Sequence, residues 1–148
     1  LIGSRLFSGK LVDKGYLTHV ISWGSLICSI SFFILSSLRQ AEQIFMILPV
    51  IGFFLVPFLL GIGYGMMFPA FNTLFVNLAP HNRRATASST YLTSWDIGIG
   101  FGLVGGGRIA DTAGGLPLAY LVGAIAATIS FVIFYKITTP HFLQNKLR

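Results

Sequence analysis

The chain has 148 residues, of which 54% are hydrophobic and only 9% are charged, and its formal net charge is +6. An ordinary soluble domain carries about 25% charged residues, so the composition excludes a soluble globular protein and favours an integral membrane protein. A single cysteine excludes an internal disulfide, and no histidine or cysteine cluster has the spacing of a metal site, so we expect neither a metal nor a cofactor.

Long runs without charged residues predict four complete membrane spans, because a transmembrane helix needs about 20 mostly apolar residues. In chain order we place them at about 17–38, 44–79, 85–109 and 116–137. The end of an earlier span precedes them, and residues 138–148 form a short polar tail that we expect to be frayed. The predicted fold is a single all-α membrane domain, residues 1–148, whose consecutive helices pack as antiparallel neighbours.

Clusters of charge between these runs predict the topology. Those near residues 10–14, 81–84 and 136–148 are rich in Lys and Arg, whereas those near 39–42 and 108–111 are almost neutral. The positive-inside rule places the basic clusters in the cytoplasm, so we expect a multi-pass protein of the inner cell membrane with a cytoplasmic C-terminus. The basic charge then faces anionic lipid of the bilayer, and no nucleic-acid partner is expected.

The second predicted span is too long for one straight helix across a hydrocarbon core of ~30 Å. One long helix with proline kinks and a hairpin of two short helices are the two interpretations. A hairpin would place Arg83 and Arg84 outside the cell, against the charge pattern, so the single kinked helix is preferred. Within it, Tyr64 and Asn72 are candidates to line a cavity, although Asn72 could equally hold two helices together.

Glycines mark the second and third spans. Several are four residues apart, a spacing that lets helix backbones approach closely in lipid; these are Gly61, Gly65, Gly98, Gly102 and Gly106. The spacing fits tight static packing, and it also fits a smooth face along which helices rock during transport. The large number of glycines in two spans favours the second interpretation.

Asp96 lies within the third span, where an ionisable group costs roughly 2.5–3.5 kcal/mol on insertion scales. Ser89, Thr93 and Asp96 follow helical spacing and share one face, which we expect to point into the bundle or a wet cavity. Burial favours the protonated form of a carboxylate, so Asp96 is predicted to exchange protons or contact substrate. The alternative is a structural aspartate that is hydrogen-bonded to neighbouring hydroxyls or paired with a base on another helix. The adjacent Trp95 is too deep for an interfacial belt and is expected to pack or to stack on substrate.

Three stretches resemble the C-terminal part of a major facilitator superfamily transporter. Residues 9–15 are similar to the loop motif after the second helix of each half, in a degenerate copy that retains Gly9, Asp13, Lys14 and Gly15. Residues 61–84, with their glycines, Pro69, Arg83 and Arg84, resemble the tenth helix and the loop after it. Residues 94–107, with the pattern Asp-x-Gly-x-Gly-x-Gly, resemble the eleventh helix of drug-efflux-like bacterial members.

The resemblance covers nearly the whole chain, from the end of the eighth helix through the twelfth. It implies a twelve-helix transporter of two six-helix halves with substrate held near the midplane. It also implies proton-coupled export of a small molecule by antiport, with the N-terminal half of the same protein as partner. The chain begins without Met and is expected to be a piece of a longer protein.

Two other classes of function compete with a transporter. A non-transporting membrane scaffold or assembly subunit would not need an aspartate at mid-membrane on a polar face. An integral membrane enzyme would need more titratable groups at depth than Asp96 alone. Both alternatives are therefore ranked below the transporter.

Overall fold

A computed structural model describes residues 2–42 and 48–147, and these residues are almost entirely helical. The helices are α1 (Ile2–Asp13), α2 (Leu17–Glu42), α3 (Leu48–Leu78), α4 (Arg84–Ala110), α5 (Gly115–Ile133) and α6 (Thr139–Asn145). A short 3₁₀ turn at His81–Arg83 precedes α4, and a π-helical turn at Phe134–Thr138 joins α5 to α6. Because no strand forms within the described residues, the predicted all-α fold is confirmed.

Among the described residues, three helical stretches are long and apolar enough to cross a membrane: Leu17–Leu38, Val50–Leu78 and Gly115–Asn145. Helix α4 has 27 residues, which corresponds to about 40 Å at 1.5 Å per residue. It is therefore long enough to be a fourth span, although its hydroxyl residues, glycines and Asp96 make it less apolar. The chain is an all-α integral membrane domain, and where the membrane boundaries fall along each helix stays a prediction.

Helix α3 is continuous along its described length although it contains Pro57 and Pro69. The hairpin interpretation is therefore wrong between Leu48 and Leu78, and the predicted start at Ile44 lies outside the described residues. Prolines are tolerated inside membrane helices because neighbouring groups can satisfy the carbonyls that lose their partner.

The four long helices that the structure describes form a ring. Helices α2 and α4 each contact both α3 and α5, and α1 packs against α2 and α3. A hydrogen bond of 2.6 Å between the hydroxyls of Ser29 and Thr128 joins α2 to α5. This ring leaves one side of α4 without a helical neighbour among the described residues.

The inner end of the ring, as the predicted topology orients it, contains the main apolar cluster. Its buried members are Leu17, Val20, Ile21, Ala70, Leu74, Phe134 and Phe142. The C-terminal residues belong to this cluster: Phe142 is only 4% exposed, and the Leu147 amide donates to the Asn77 carbonyl at 3.0 Å. The expected fraying of the tail is therefore wrong up to residue 147, because burial of an aromatic side chain holds it in place.

Helices α2 and α3 approach closely at Gly24 and Gly63. A Cβ atom added to Gly63 would lie 2.5 Å from the Cys28 Sγ and 3.0 Å from the Gly24 carbonyl oxygen. A Cβ added to Gly24 would lie 2.5 Å from the Met67 Cγ. A side chain at either position would force neighbouring atoms to shift, so glycine allows the two helices to approach this closely.

The glycines that the four-residue spacing singled out lie in different surroundings. Within the described part of the chain, an added Cβ would meet nothing closer than 4 Å at Gly61, Gly98, Gly102 or Gly106. Gly65 is buried. Close packing at the four open positions requires helices outside this chain, so their predicted packing or gating role stays a prediction.

Candidate functional site

Two polar contacts from α4 to α3 set the orientation of α4. The Tyr91 hydroxyl donates to the Phe68 carbonyl at 3.0 Å, and the Ser88 hydroxyl donates to the Asn72 Oδ1 at 2.7 Å. Tyr91 is buried, so its hydroxyl needs this partner. The contact gives Asn72 a role in holding two helices together, and its predicted place in a cavity lining stays a prediction.

Aromatic rings extend the same contact between α3 and α4. The Trp95 ring packs edge-on against Phe68 and Tyr64, with centroid distances of 5.3 and 6.0 Å. The Tyr91 ring stacks on Phe71 at 6.4 Å. Edge-on and offset stacked rings are the favourable arrangements for aromatic pairs. Trp95 therefore has the packing role, while stacking on substrate stays a prediction for a ring that is still partly exposed.

A groove of about 370 Å³ lies on nearly the opposite side of α4. All of its lining residues belong to α4, and they are Thr86, Ser89, Thr90, Thr93, Ser94 and Ile97. The residues that contact α3, such as Tyr91 and Trp95, are rotated away from this side because each position turns a helix by about 100°. The hydroxyl-rich face is thus left open by the contact with α3.

Asp96 lies at the middle of α4 and is not among the residues that line this groove, but helical spacing places it next to Ser89, which is. Asp96 is twelve positions from both Arg84 and Arg108, or about 18 Å along the helix axis in each direction. Helical spacing places it beside Ser89 and Thr93, as predicted. The carboxylate is exposed, so the face does not point into the ring of described helices.

The carboxylate of Asp96 has no hydrogen-bond or ion-pair partner within residues 2–42 and 48–147. The Ser89 hydroxyl donates instead to the Ala85 carbonyl at 3.1 Å. The alternative of a structural aspartate held by neighbouring hydroxyls is therefore not formed by these residues. The role of Asp96 in proton exchange or substrate contact stays a prediction.

The degenerate loop motif ends α1. Gly15 has φ +87°, its amide donates to the Val12 carbonyl at 2.9 Å, and the Tyr16 amide donates to the Leu11 carbonyl at 3.1 Å. These two bonds with a left-handed glycine form a Schellman motif. The structure therefore gives Gly15 a local role in terminating the helix.

The other loop residues of the sequence-based prediction lie near the ends of α1 and α4. Asp13, Lys14 and Arg83 are exposed, and Gly9 lies inside α1 with open space around it. Arg84 is half-buried, and its Nε has no hydrogen-bond partner in the part of the chain that the structure describes. The cytoplasmic side on which these residues are expected to lie stays a prediction.

Sequence reasoning did not single out Ser88, Phe68 or Gly24. Ser88 lies three and seven positions before Tyr91 and Trp95, so helical spacing was a signal that could have identified the face toward α3. No local signal pairs Gly24 with its partner on α3, because the two positions are far apart in sequence.

Comparison with known proteins identifies the family of the chain. A family model described as Major Facilitator Superfamily matches residues 1–147. No curated protein and no solved structure matches the chain.

Proposed function

The chain belongs to the Major Facilitator Superfamily, a family of membrane transporters, and we propose that it forms part of the C-terminal six-helix half of a proton-coupled exporter of small molecules. In this proposal α2, α3, α4 and α5 are the last four of twelve helices. The open face of α4 borders the substrate path, across which the N-terminal half of the same protein lies.

The position of Asp96 is the observation that supports the proposal. Asp96 is the only formally charged residue in the central stretches of the four long helices, which are 17–38, 48–78, 85–107 and 115–135. A charge at membrane depth is costly, and such residues face a cavity or a partner. Within residues 2–42 and 48–147 the carboxylate has no ion-pair partner, so a partner for it, whether a proton, a substrate or a base, must come from outside these residues.

The protonation state of Asp96 supplies a simple means of coupling. A protonated carboxyl group is neutral, so it can pass through a closed conformation from which water is excluded, whereas an ionised carboxylate needs water or a bound cation. Proton binding therefore stabilises one conformation relative to the other, and a ligand can shift a conformational equilibrium only through such a difference. The hydroxyls of the groove add polar contacts for the transported molecule.

The test uses the full-length protein reconstituted in vesicles, with compounds chosen by a ligand-thermostability screen. Asp96→Asn should abolish uptake driven by a pH gradient but retain exchange of labelled for unlabelled substrate at equal pH and saturating substrate concentration. The matched control is Asp111→Asn, because Asp111 is an exposed carboxylate at the end of the same helix. Gradient-driven transport at the wild-type rate by Asp96→Asn would refute the coupling role.

A further inference from the structure

The hydroxyls of the α4 groove present mainly acceptor atoms to a ligand. Three of them donate to a main-chain carbonyl three or four positions earlier, at 3.1, 2.9 and 2.7 Å; these are Ser89, Thr90 and Ser94. A hydroxyl has one donor proton and two acceptor lone pairs. Once its proton is used by the main chain, the oxygen can only accept a further hydrogen bond.

The charged residues near the groove also favour a ligand that donates hydrogen bonds. An ionised carboxylate such as Asp96 only accepts hydrogen bonds, and none of the residues that line the groove is basic. The nearest basic residues along α4 are Arg84 and Arg108, each about 18 Å away along the axis. The neighbouring stretches of α3 and α5 carry no charged residue at all.

An apolar strip continues the groove toward the C-terminal end of α4. Ile97, Phe101 and Val104 follow one another at four- and three-residue spacing, so they lie on one side of the helix. All three side chains are exposed in this chain. They offer a surface for the hydrocarbon part of a ligand whose polar group lies nearer to Asp96.

We propose that this face binds the transported molecule as an organic cation, selected over organic anions of similar shape. An ammonium or guanidinium group donates hydrogen bonds to the Asp96 carboxylate and to the hydroxyl oxygens, and the apolar part of the molecule lies along Ile97, Phe101 and Val104. The inference rests on the proposed function, because it assumes that the groove is part of the substrate path.

Three probes that share one aromatic body test the selectivity: 2-phenylethylammonium, 2-phenylethanol and 3-phenylpropanoate. Their binding to the purified full-length protein is measured by equilibrium dialysis in detergent, without a proton gradient. The cation should bind about tenfold more tightly than the alcohol, since a hydrogen bond to a charged group contributes at least that much, and the anion should bind most weakly.

Variants identify the group that recognises the cation. Asp96→Asn should lose about tenfold in affinity for the cation and nothing for the alcohol. Asp96→Glu, which keeps the charge, should retain the preference for the cation. Asp111→Asn should match the wild type.

Three results would overturn the inference: an anion that binds as tightly as the cation, no measurable binding of the cation at millimolar concentration, or cation binding that is unchanged in Asp96→Asn. The last result would mean that a base elsewhere in the full-length protein neutralises Asp96. Because binding is measured without a proton gradient, the result of the binding experiment does not depend on whether Asp96 couples transport to protons. A wild type that prefers the anion, with gradient-driven transport still lost in Asp96→Asn, would remove the cation inference alone.

Discussion

Replacement of Gly63 by alanine should disrupt the crossing of α2 and α3. The new Cβ would lie 2.5 Å from the Cys28 Sγ and 3.0 Å from the Gly24 carbonyl oxygen. The sulfur belongs to a side chain, but the oxygen belongs to the main chain of α2. Relief of the second contact therefore requires the two helices to move apart along their interface.

The size of the effect follows from comparison with Gly61, two residues earlier in α3, where an added Cβ meets nothing within 4 Å. Alanine favours a helix over glycine by about 0.8–1.0 kcal/mol, and this gain is common to both substitutions. Overpacking a close contact costs about 1–3 kcal/mol. Gly63→Ala should therefore unfold with a free energy about 1–3 kcal/mol lower than that of Gly61→Ala.

The assay is equilibrium unfolding of each variant by titration of SDS into mixed micelles, followed by far-ultraviolet circular dichroism. The difference between the two variants cancels errors that the detergent introduces equally into both. Equal unfolding free energies would refute the reasoning, because they would mean that the backbones of α2 and α3 are not in contact at Gly63.

The same titration checks two further predictions. Gly15→Ala should lower the unfolding free energy by about 1–2 kcal/mol, because a side chain is strained at φ +87° in the left-handed region. Gly9→Ala, inside α1 and in open space, should not be destabilised, and equal losses at both positions would contradict the helix-terminating role of Gly15. Phe142→Ala should cost about 3–5 kcal/mol, because the ring is 4% exposed in an apolar cluster. Leu143→Ala, at a side chain 54% exposed, should cost much less, and a similar loss at both would show that the C-terminal helix is not docked.

The helices and the composition of the α4 face could be predicted from the sequence. A long apolar run in a membrane must satisfy its main-chain groups internally, and the helix is the structure that does so within one segment. Helical spacing then placed Ser89, Thr93 and Asp96 together, as α4 does. The C-terminal tail could not be predicted in this way, because its polar composition concealed that Phe142 meets a cluster formed by α2, α3 and the π-helical turn.

In the candidate site, too, some features could be predicted from the sequence and others depend on the tertiary structure. The apolar residues around Asp96 in the sequence were enough to identify it as a charge that is unfavourable inside a membrane. The contact of Tyr91 and Trp95 with α3 turns the opposite face of α4 outward. This orientation depends on the position of α3. The local sequence shows which residues form each face of α4, but it does not show which face packs against α3.

The sequence by itself determined which segments are helices and which residues share a side of each helix, because both follow from local composition and periodicity. Only the tertiary structure decided which sides meet. The glycine spacing was regular in α4, yet the close crossing of helices joins Gly24 of α2 to Gly63 of α3. A small residue permits close approach but does not specify the partner, since the partner depends on how helices distant in sequence are arranged.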